Sequence, residues 1–223
     1  VDIGAKYLGK SEFDKDYLVV KEGLGNGLVK SPFLCYEPAL RVAPDLKTKV
    51  LATIREPFFS RTYQKFTSHQ NTPFKLEDAD YPGVIQNGNV IFVAHELDAM
   101  YYDYGARLHR DLFGNALRML NSRPMVETSL PSAGRISLLH QPDEGRYVVH
   151  LLYGPPIQRG KCEVIEDLPT LFEVPVTLDL SRDIKRATLV PEMRVLPMEK
   201  LGSKIKVKVP KFSCHCAISL NYA

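Results

Sequence analysis

Gly83-Val-Ile-Gln-Asn-Gly-Asn-Val-Ile-Phe-Val-Ala94 is the stretch on which the reading of the fold turns. Two apolar runs flank Asn87-Gly88. Asn-Gly in that setting is the strongest short signal for a β-hairpin, because both residues tolerate the positive φ of a type I′ turn. After His95 the period changes. Leu108, Leu112, Ala116, Leu117 and Leu120 share one helical face, and Arg107, Arg110, Asp111 and Arg118 the other. This predicts one amphipathic helix, from about Asp98 or Asp103 to Met119. It stops at Asn121-Ser122-Arg123-Pro124, where proline forbids continuation. Upstream, Lys49 to Ile54 reads as a strand, followed by an aromatic run after Pro57 (Phe58, Phe59, Tyr63, Phe66) and a polar loop from Ser68 to Pro73.

Beyond Pro124 the helical period is gone. Short alternating or apolar runs recur at about the 8–12-residue spacing of all-β folds: Arg135–His140, Arg146–Tyr153, Leu171–Leu180, Ala187–Val190, Arg194–Met198, Lys204–Val209 and Cys216–Leu220. Turn chemistry separates them, as at Pro142-Asp-Glu-Gly145 and Gly154-Pro-Pro156. The expected organisation is an α/β part over 1–122, followed by an antiparallel β-sandwich over 123–223.

The chain has 223 residues, 44% of them hydrophobic and 25% charged, which excludes the low-hydrophobicity class that stays disordered. No window reaches the ~20 uncharged apolar residues of a membrane span, and the first thirty residues lack a signal-peptide apolar region. The chain opens on Val1 without an initiator Met, so the terminus is silent on compartment.

The net charge of +3 is unevenly placed. From Arg182 onward nine Lys/Arg face three acids, which leaves −3 for the residues before it. A nucleic-acid patch is one reading of that asymmetry. The other fits better: Lys204, Lys206 and Lys208 alternate with Ile205, Val207 and Val209, as on a half-buried strand whose charged face protects an edge. No nucleic-acid partner is expected.

Chemical motifs are scarce. Gly23-Leu-Gly-Asn-Gly27 is neither a dinucleotide fingerprint nor a P-loop, and reads as a flexible turn. Cys35, in Phe-Leu-Cys-Tyr-Glu-Pro, lacks the flanking glycines of a nucleophile elbow and reads as a buried thiol. Cys214-His215-Cys216, with Cys162, invites a zinc reading. Two thiols two apart on a strand share a face, but His215 then points away, so buried free thiols are preferred and no metal is expected. His95 with Glu96 ends the second hairpin strand, where functional groups are often presented, and His69 lies in a polar loop near Arg61 and Gln70. These five are the candidate site residues, as lining of a polar pocket; the alternative is that they satisfy backbone groups at loop corners. Neighbouring acids such as Glu96 with Asp98, or Asp143 with Glu144, do not make the separated carboxylate pair of a glycosidase, so no catalytic residue is assigned.

Several runs resemble a known family. They are Tyr81-Pro-Gly-Val-Ile-Gln-Asn-Gly-Asn-Val-Ile-Phe-Val-Ala-His-Glu-Leu97, Tyr104-Gly-Ala-Arg-Leu-His-Arg-Asp-Leu112 and Asn115-Ala-Leu-Arg-Met-Leu120. Together they look like the end of a β-galactosidase trimerisation-type domain. That domain is a class I glutamine-amidotransferase-like three-layer α/β fold, found in family 42 β-galactosidases and in a group of α-amylase-like glycoside hydrolases. Phe66-Thr-Ser-His-Gln-Asn-Thr-Pro73, Leu130-Pro-Ser-Ala-Gly-Arg-Ile-Ser-Leu-Leu-His-Gln-Pro142 and His150-Leu-Leu-Tyr-Gly-Pro-Pro156 resemble the same hydrolases, whose C-terminal β-domain follows.

The resemblance covers nearly the whole chain and implies an incomplete α/β domain without a working amidotransferase triad. It places the catalytic carboxylates in an N-terminal (β/α)₈ barrel that nothing in this chain resembles. The implied role is scaffolding: homo-oligomerisation, or closing the rim of a catalytic barrel that meets the carbohydrate substrate. No cofactor is implied. Arg61, His69, Gln70, His95 and Glu96 are the residues expected to reach a sugar. A second reading is a free-standing carbohydrate-binding β-module, weakened by the absence of Trp. A third, a self-sufficient hydrolase, lacks its acid/base constellation.

Overall fold

The computed structural model describes residues 1–222, which form two compact units that divide between Ser122 and Arg123. The first contains β1 (Ala5–Lys10), β2 (Asp16–Val20), β3 (Phe33–Cys35), β4 (Leu40–Pro44), β5 (Lys49–Arg55), β6 (Pro82–Asn87), β7 (Val90–Val93), α1 (Leu97–Tyr104) and α2 (Arg107–Leu120). Strands β1 and β4 make a two-stranded ribbon, and the main sheet runs β3-β2-β5-β6-β7. Every pairing in it is antiparallel. The expected amidotransferase-like three-layer domain is therefore not what residues 1–122 build. Such a layer needs parallel strands joined by crossover helices, whereas here all the strands come first, paired antiparallel, and both helices come last.

The β6–β7 hairpin forms as expected, with Asn87 paired to Val90 and Val84 to Val93. Its turn sits one residue later than the Asn-Gly reading. Gly88-Asn89 are the central residues, and Gly88 carries the positive φ (+56°), the pattern of a type II′ turn. The single expected helix is two. Gly105 adopts a left-handed conformation (φ +62°) and donates its N–H to Tyr101 O at 2.9 Å, which caps α1 before α2 begins. The buried face of α2 also differs from the reading. Leu112 and Ala116 are buried, but so are His109 and Asn115, while Leu117 is half exposed. The core of this unit joins Leu18, Leu51, Ile54 and Val84 of the sheet to Met100 and Leu112 of the helices.

The second unit is all-β: β8 (Val126–Thr128), β9 (Gly134–Gln141), β10 (Arg146–Tyr153), β11 (Ile157–Arg159), β12 (Cys162–Val164), β13 (Leu171–Leu178), β14 (Arg186–Val190), β15 (Arg194–Leu196), β16 (Met198–Leu201), β17 (Lys204–Phe212) and β18 (Cys214–Asn221). Two antiparallel sheets, β15-β14-β18-β10-β9 and β16-β17-β13-β8, face each other, with β11-β12 as a separate ribbon. Between the sheets Tyr147, Val149, Leu151, Ile218 and Leu220 meet Val174, Val176, Leu178, Val207 and Val209. This is the expected sandwich. The lysine strand β17 is interior to its sheet rather than at an edge. Its polar face is neutralised across strands instead: Lys204 pairs with Glu127 (2.6 Å) and Lys208 with Glu173 (3.1 Å). Among the described residues no helix is long and apolar enough to cross a membrane.

Candidate functional site

Three features of the first unit gather chemistry-bearing side chains. The first is a buried cluster. Asp16 opens β2 and Cys35 closes β3; the two are direct cross-strand partners, so their side chains leave the sheet on the same face. His95 follows β7 on a segment pinned by two backbone bonds, Ala94 N–H to Gly83 O and Leu40 N–H to Ala94 O, both 2.8 Å. The Asp16 and Cys35 residues are 0% exposed, and the His95 side chain is fully enclosed. His95 Nε2 stands 2.9 Å from Asp16 Oδ1. Beyond this contact, neither carboxylate oxygen and neither ring nitrogen has a well-formed hydrogen bond. The contact is an ion pair, and a buried polar atom left with no partner costs about 1–3 kcal/mol.

Burial by itself works against an imidazolium at His95, but the Cys35 sulfur and the Asp16 carboxylate beside the ring outweigh it and raise its pKa to about 10. Burial pushes the Cys35 thiol up. A thiol so enclosed does not meet the electropositive, partly exposed setting of a nucleophilic cysteine, in keeping with its reading as a buried thiol. Nearby, His109 Nε2 lies 3.1 Å from Leu34 O and donates to it, and burial lowers its pKa.

The second feature is an open polar cleft of about 360 Å³, lined by Ser11, Arg41, Glu56, Lys75, Asp78 and Asp80 among others. Tyr81 adjoins it. Its hydroxyl, 3.2 Å from Ser11 Oγ and 3.3 Å from Glu56 Oε1, donates to one of them at a time. Burial, with the Glu56 carboxylate, pushes Tyr81 up to about 12, and the Arg41 guanidinium lies over its ring at 5.1 Å. Glu56 is paired to Lys75 (3.0 Å) and Asp78 to Arg55 (3.2 Å). Both carboxylates thus have their charge matched by a neighbouring cation. Sequence reasoning passed over this cleft because Glu56 and the segment holding Asp78 and Asp80 are far apart in the chain, with no motif joining them.

The third feature is the segment 57–73. Its base is closed by a Pro57–Phe74 bridge, by Phe58 N–H to Pro73 O (3.1 Å) and by Tyr17 Oη donating to Thr72 O (2.7 Å). Three of the candidate residues meet here. Arg61 Nη1 donates to the carbonyls of His69 (3.1 Å) and Gln70 (2.8 Å), so Arg61 ties the two arms of the loop together. Arg61, His69 and Gln70 are all exposed. Phe58, Tyr63 and Phe66 also face solvent, 62%, 97% and 68% exposed. The other two candidates are elsewhere. His95 faces the interior cluster rather than solvent, and Glu96 is exposed at the start of α1 without capping it.

Cys214-His215-Cys216 does not assemble a ligand set. Cys214 is left-handed (φ +62°), which breaks the alternation, so Cys214 and His215 are exposed while Cys216 is buried. Among the described residues, only Asp16, Cys35 and His95 bring three ligand-type atoms within 4.8 Å of one another. Gly23–Gly27 is a held turn: Asn115 Nδ2 donates to Leu24 O and Asn26 O, each at 2.8 Å.

No protein-family model and no curated protein sequence matches the chain. Among solved structures it is similar to alpha-L-fucosidase isoenzyme 2 from Paenibacillus thiaminolyticus, with a TM-score of 0.90 and 29% sequence identity over 100% of the chain. The chain spans 34% of the length of that enzyme. Over its whole length, the chain is thus related in fold and sequence to one portion of a glycoside hydrolase.

Proposed function

We propose that this chain is the non-catalytic portion of a glycoside hydrolase acting on α-L-fucosides or related glycosides, serving oligomerisation or scaffolding of a catalytic barrel. The observation that carries this reading is the likeness of the whole chain to about a third of an α-L-fucosidase. The cleft chemistry supports it: Glu56 and Asp78 are each held by a cation. So does the protruding loop 57–73, whose exposed aromatic residues are suited to packing on a barrel rim or a second copy. Arg61 in this reading shapes the loop, while His69, Gln70 and Glu96 are the outward residues available to a sugar at the rim.

The test combines turnover and assembly. The isolated chain is assayed on p-nitrophenyl α-L-fucoside and aryl β-galactosides, and its mass is measured by light scattering across a concentration series. The reading expects no turnover and concentration-dependent association. Turnover abolished by Glu56→Gln or Asp78→Asn would sink it.

The exposed trio Phe58, Tyr63 and Phe66 favours one alternative, a free-standing carbohydrate-binding module, since aromatic faces stack on sugar C–H surfaces. It predicts glycan-array binding by a monomer, lost when these residues become serine.

A further inference from the structure

We propose that Asp16, Cys35 and His95 form a structural site for a divalent transition-metal ion of the zinc class, tying β2, β3 and the β7–α1 junction together. The ligand atoms of the three lie within 4.8 Å of one another, in the interior of the first unit. Buried polar atoms in folded proteins are nearly always satisfied, yet here Asp16 Oδ1 and Oδ2 and His95 Nδ1 and Nε2 are all without hydrogen bonds. One cation answers most of this at once. Carboxylate, thiolate and imidazole nitrogen are all zinc donors and fill three positions of its shell, with the second carboxylate oxygen as a close fourth donor in a distorted four-coordinate site.

The chemistry of the set is selective. Sulfur with imidazole favours zinc over magnesium or calcium, which prefer all-oxygen shells. A dication beside one thiolate, one carboxylate and a neutral imidazole also leaves the buried cluster with no net charge, the condition under which burial costs least. The fit requires small movements. Zinc bonds of about 2.0–2.3 Å place donors at neighbouring vertices about 3.3–3.6 Å apart, so the 2.9 Å contact of His95 with Asp16 opens by a few tenths of an ångström. The three ligands come from residues 16, 35 and 95, so the site exists only in the folded unit, and the metal stabilises that unit as it binds.

The test uses the full chain without a purification tag. Zinc content is measured by mass spectrometry on the protein as isolated, and the chelator-treated protein is titrated with Co²⁺. The expected results are near one zinc per chain, and one Co²⁺ giving intense tetrahedral visible bands with a thiolate-to-cobalt charge-transfer band. Cys35→Ser removes that band, and Asp16→Asn or His95→Gln weakens cobalt binding by about 100-fold or more. The Cys162→Ser/Cys214→Ser double variant, which removes the exposed thiols, keeps both band and stoichiometry. This variant carries the test even if Cys35→Ser fails to fold by circular dichroism. The proposal is overturned if the folded chain shows no stoichiometric thiolate–cobalt band, or if the band disappears in the double variant.

Discussion

Raising the pH on the chelator-treated chain should destabilise the first unit through His95. The folded-state pKa of this histidine is about 10 against an ordinary value of 6.5. A group whose pKa is raised by folding contributes stability that is fully present below the unfolded value and is lost as pH rises through the folded one. The window is therefore pH 6.5 to about 10. Cys35, whose thiol is also pushed up, adds a loss of the same sign at its alkaline end. The whole shift corresponds to a ceiling of about 5 kcal/mol. Part of it comes from the Cys35 sulfur, which attracts His95 only as a thiolate, so the loss stays below this ceiling, at a few kcal/mol, the order expected for breaking a buried pair. In a unit of this size that is roughly 6–15 °C of melting temperature. Urea unfolding followed by far-ultraviolet circular dichroism at pH 6, 8 and 10 measures it, because the chain has no Trp to report. The wild-type midpoint of the first unit should fall across this range, and Asp16→Asn should start lower and show a much flatter profile. A wild-type profile that is flat or rises with pH, or an Asp16→Asn chain that keeps the wild-type slope, would show that the buried pair is not charged.

Other perturbations probe the surrounding packing. Gly83→Ala places a Cβ 2.2 Å from Leu18 Cδ1, so it should lower stability by about 1–3 kcal/mol, read as a lower urea midpoint with unchanged slope. Asn115→Ala leaves Leu24 O and Asn26 O without their donor and should cost about 1–3 kcal/mol, with amide exchange rising in residues 23–27 before the rest of the unit. Arg61→Ala frees the arms of the 57–73 loop. Limited trypsin digestion should then cut at Lys65 faster, while the melting temperature moves by no more than about 2 °C, since the lost bonds are exposed.

The sequence was most legible where local patterns carry the structure. Alternation and turn residues gave the β-sandwich, and Gly88 gave the hairpin, with a one-residue slip because glycine alone satisfies a type II′ turn. The split helix was hidden because Gly105 interrupts an otherwise helical pattern, and isolated glycines are also tolerated inside helices. The α/β expectation for residues 1–122 came from reading a helix beside strands as part of an α/β layer, and the resemblance of segments then gave that layer its amidotransferase-like form. The residues themselves, with an Asn-Gly hairpin and no crossover helix between strands, carry the antiparallel signature.

The candidate site was legible only in part. Arg61, His69 and Gln70 meet because they share one loop. His95 was found by its place at a strand end, but the strand pattern does not say to which side such an end turns. Its partners Asp16 and Cys35 are far away in sequence and were invisible as a set. The one available signal was an acid, Asp16, leading directly into the apolar strand Tyr17-Leu-Val-Val20, a position where a charge is costly unless it is paired.

The non-catalytic role is tested most directly by the isolated chain on p-nitrophenyl α-L-fucoside at micromolar enzyme. The expected rate is that of buffer alone, unchanged by Glu56→Gln. Steady turnover above buffer that Glu56→Gln or Asp78→Asn removes would make the polar cleft a catalytic centre and contradict the scaffolding role.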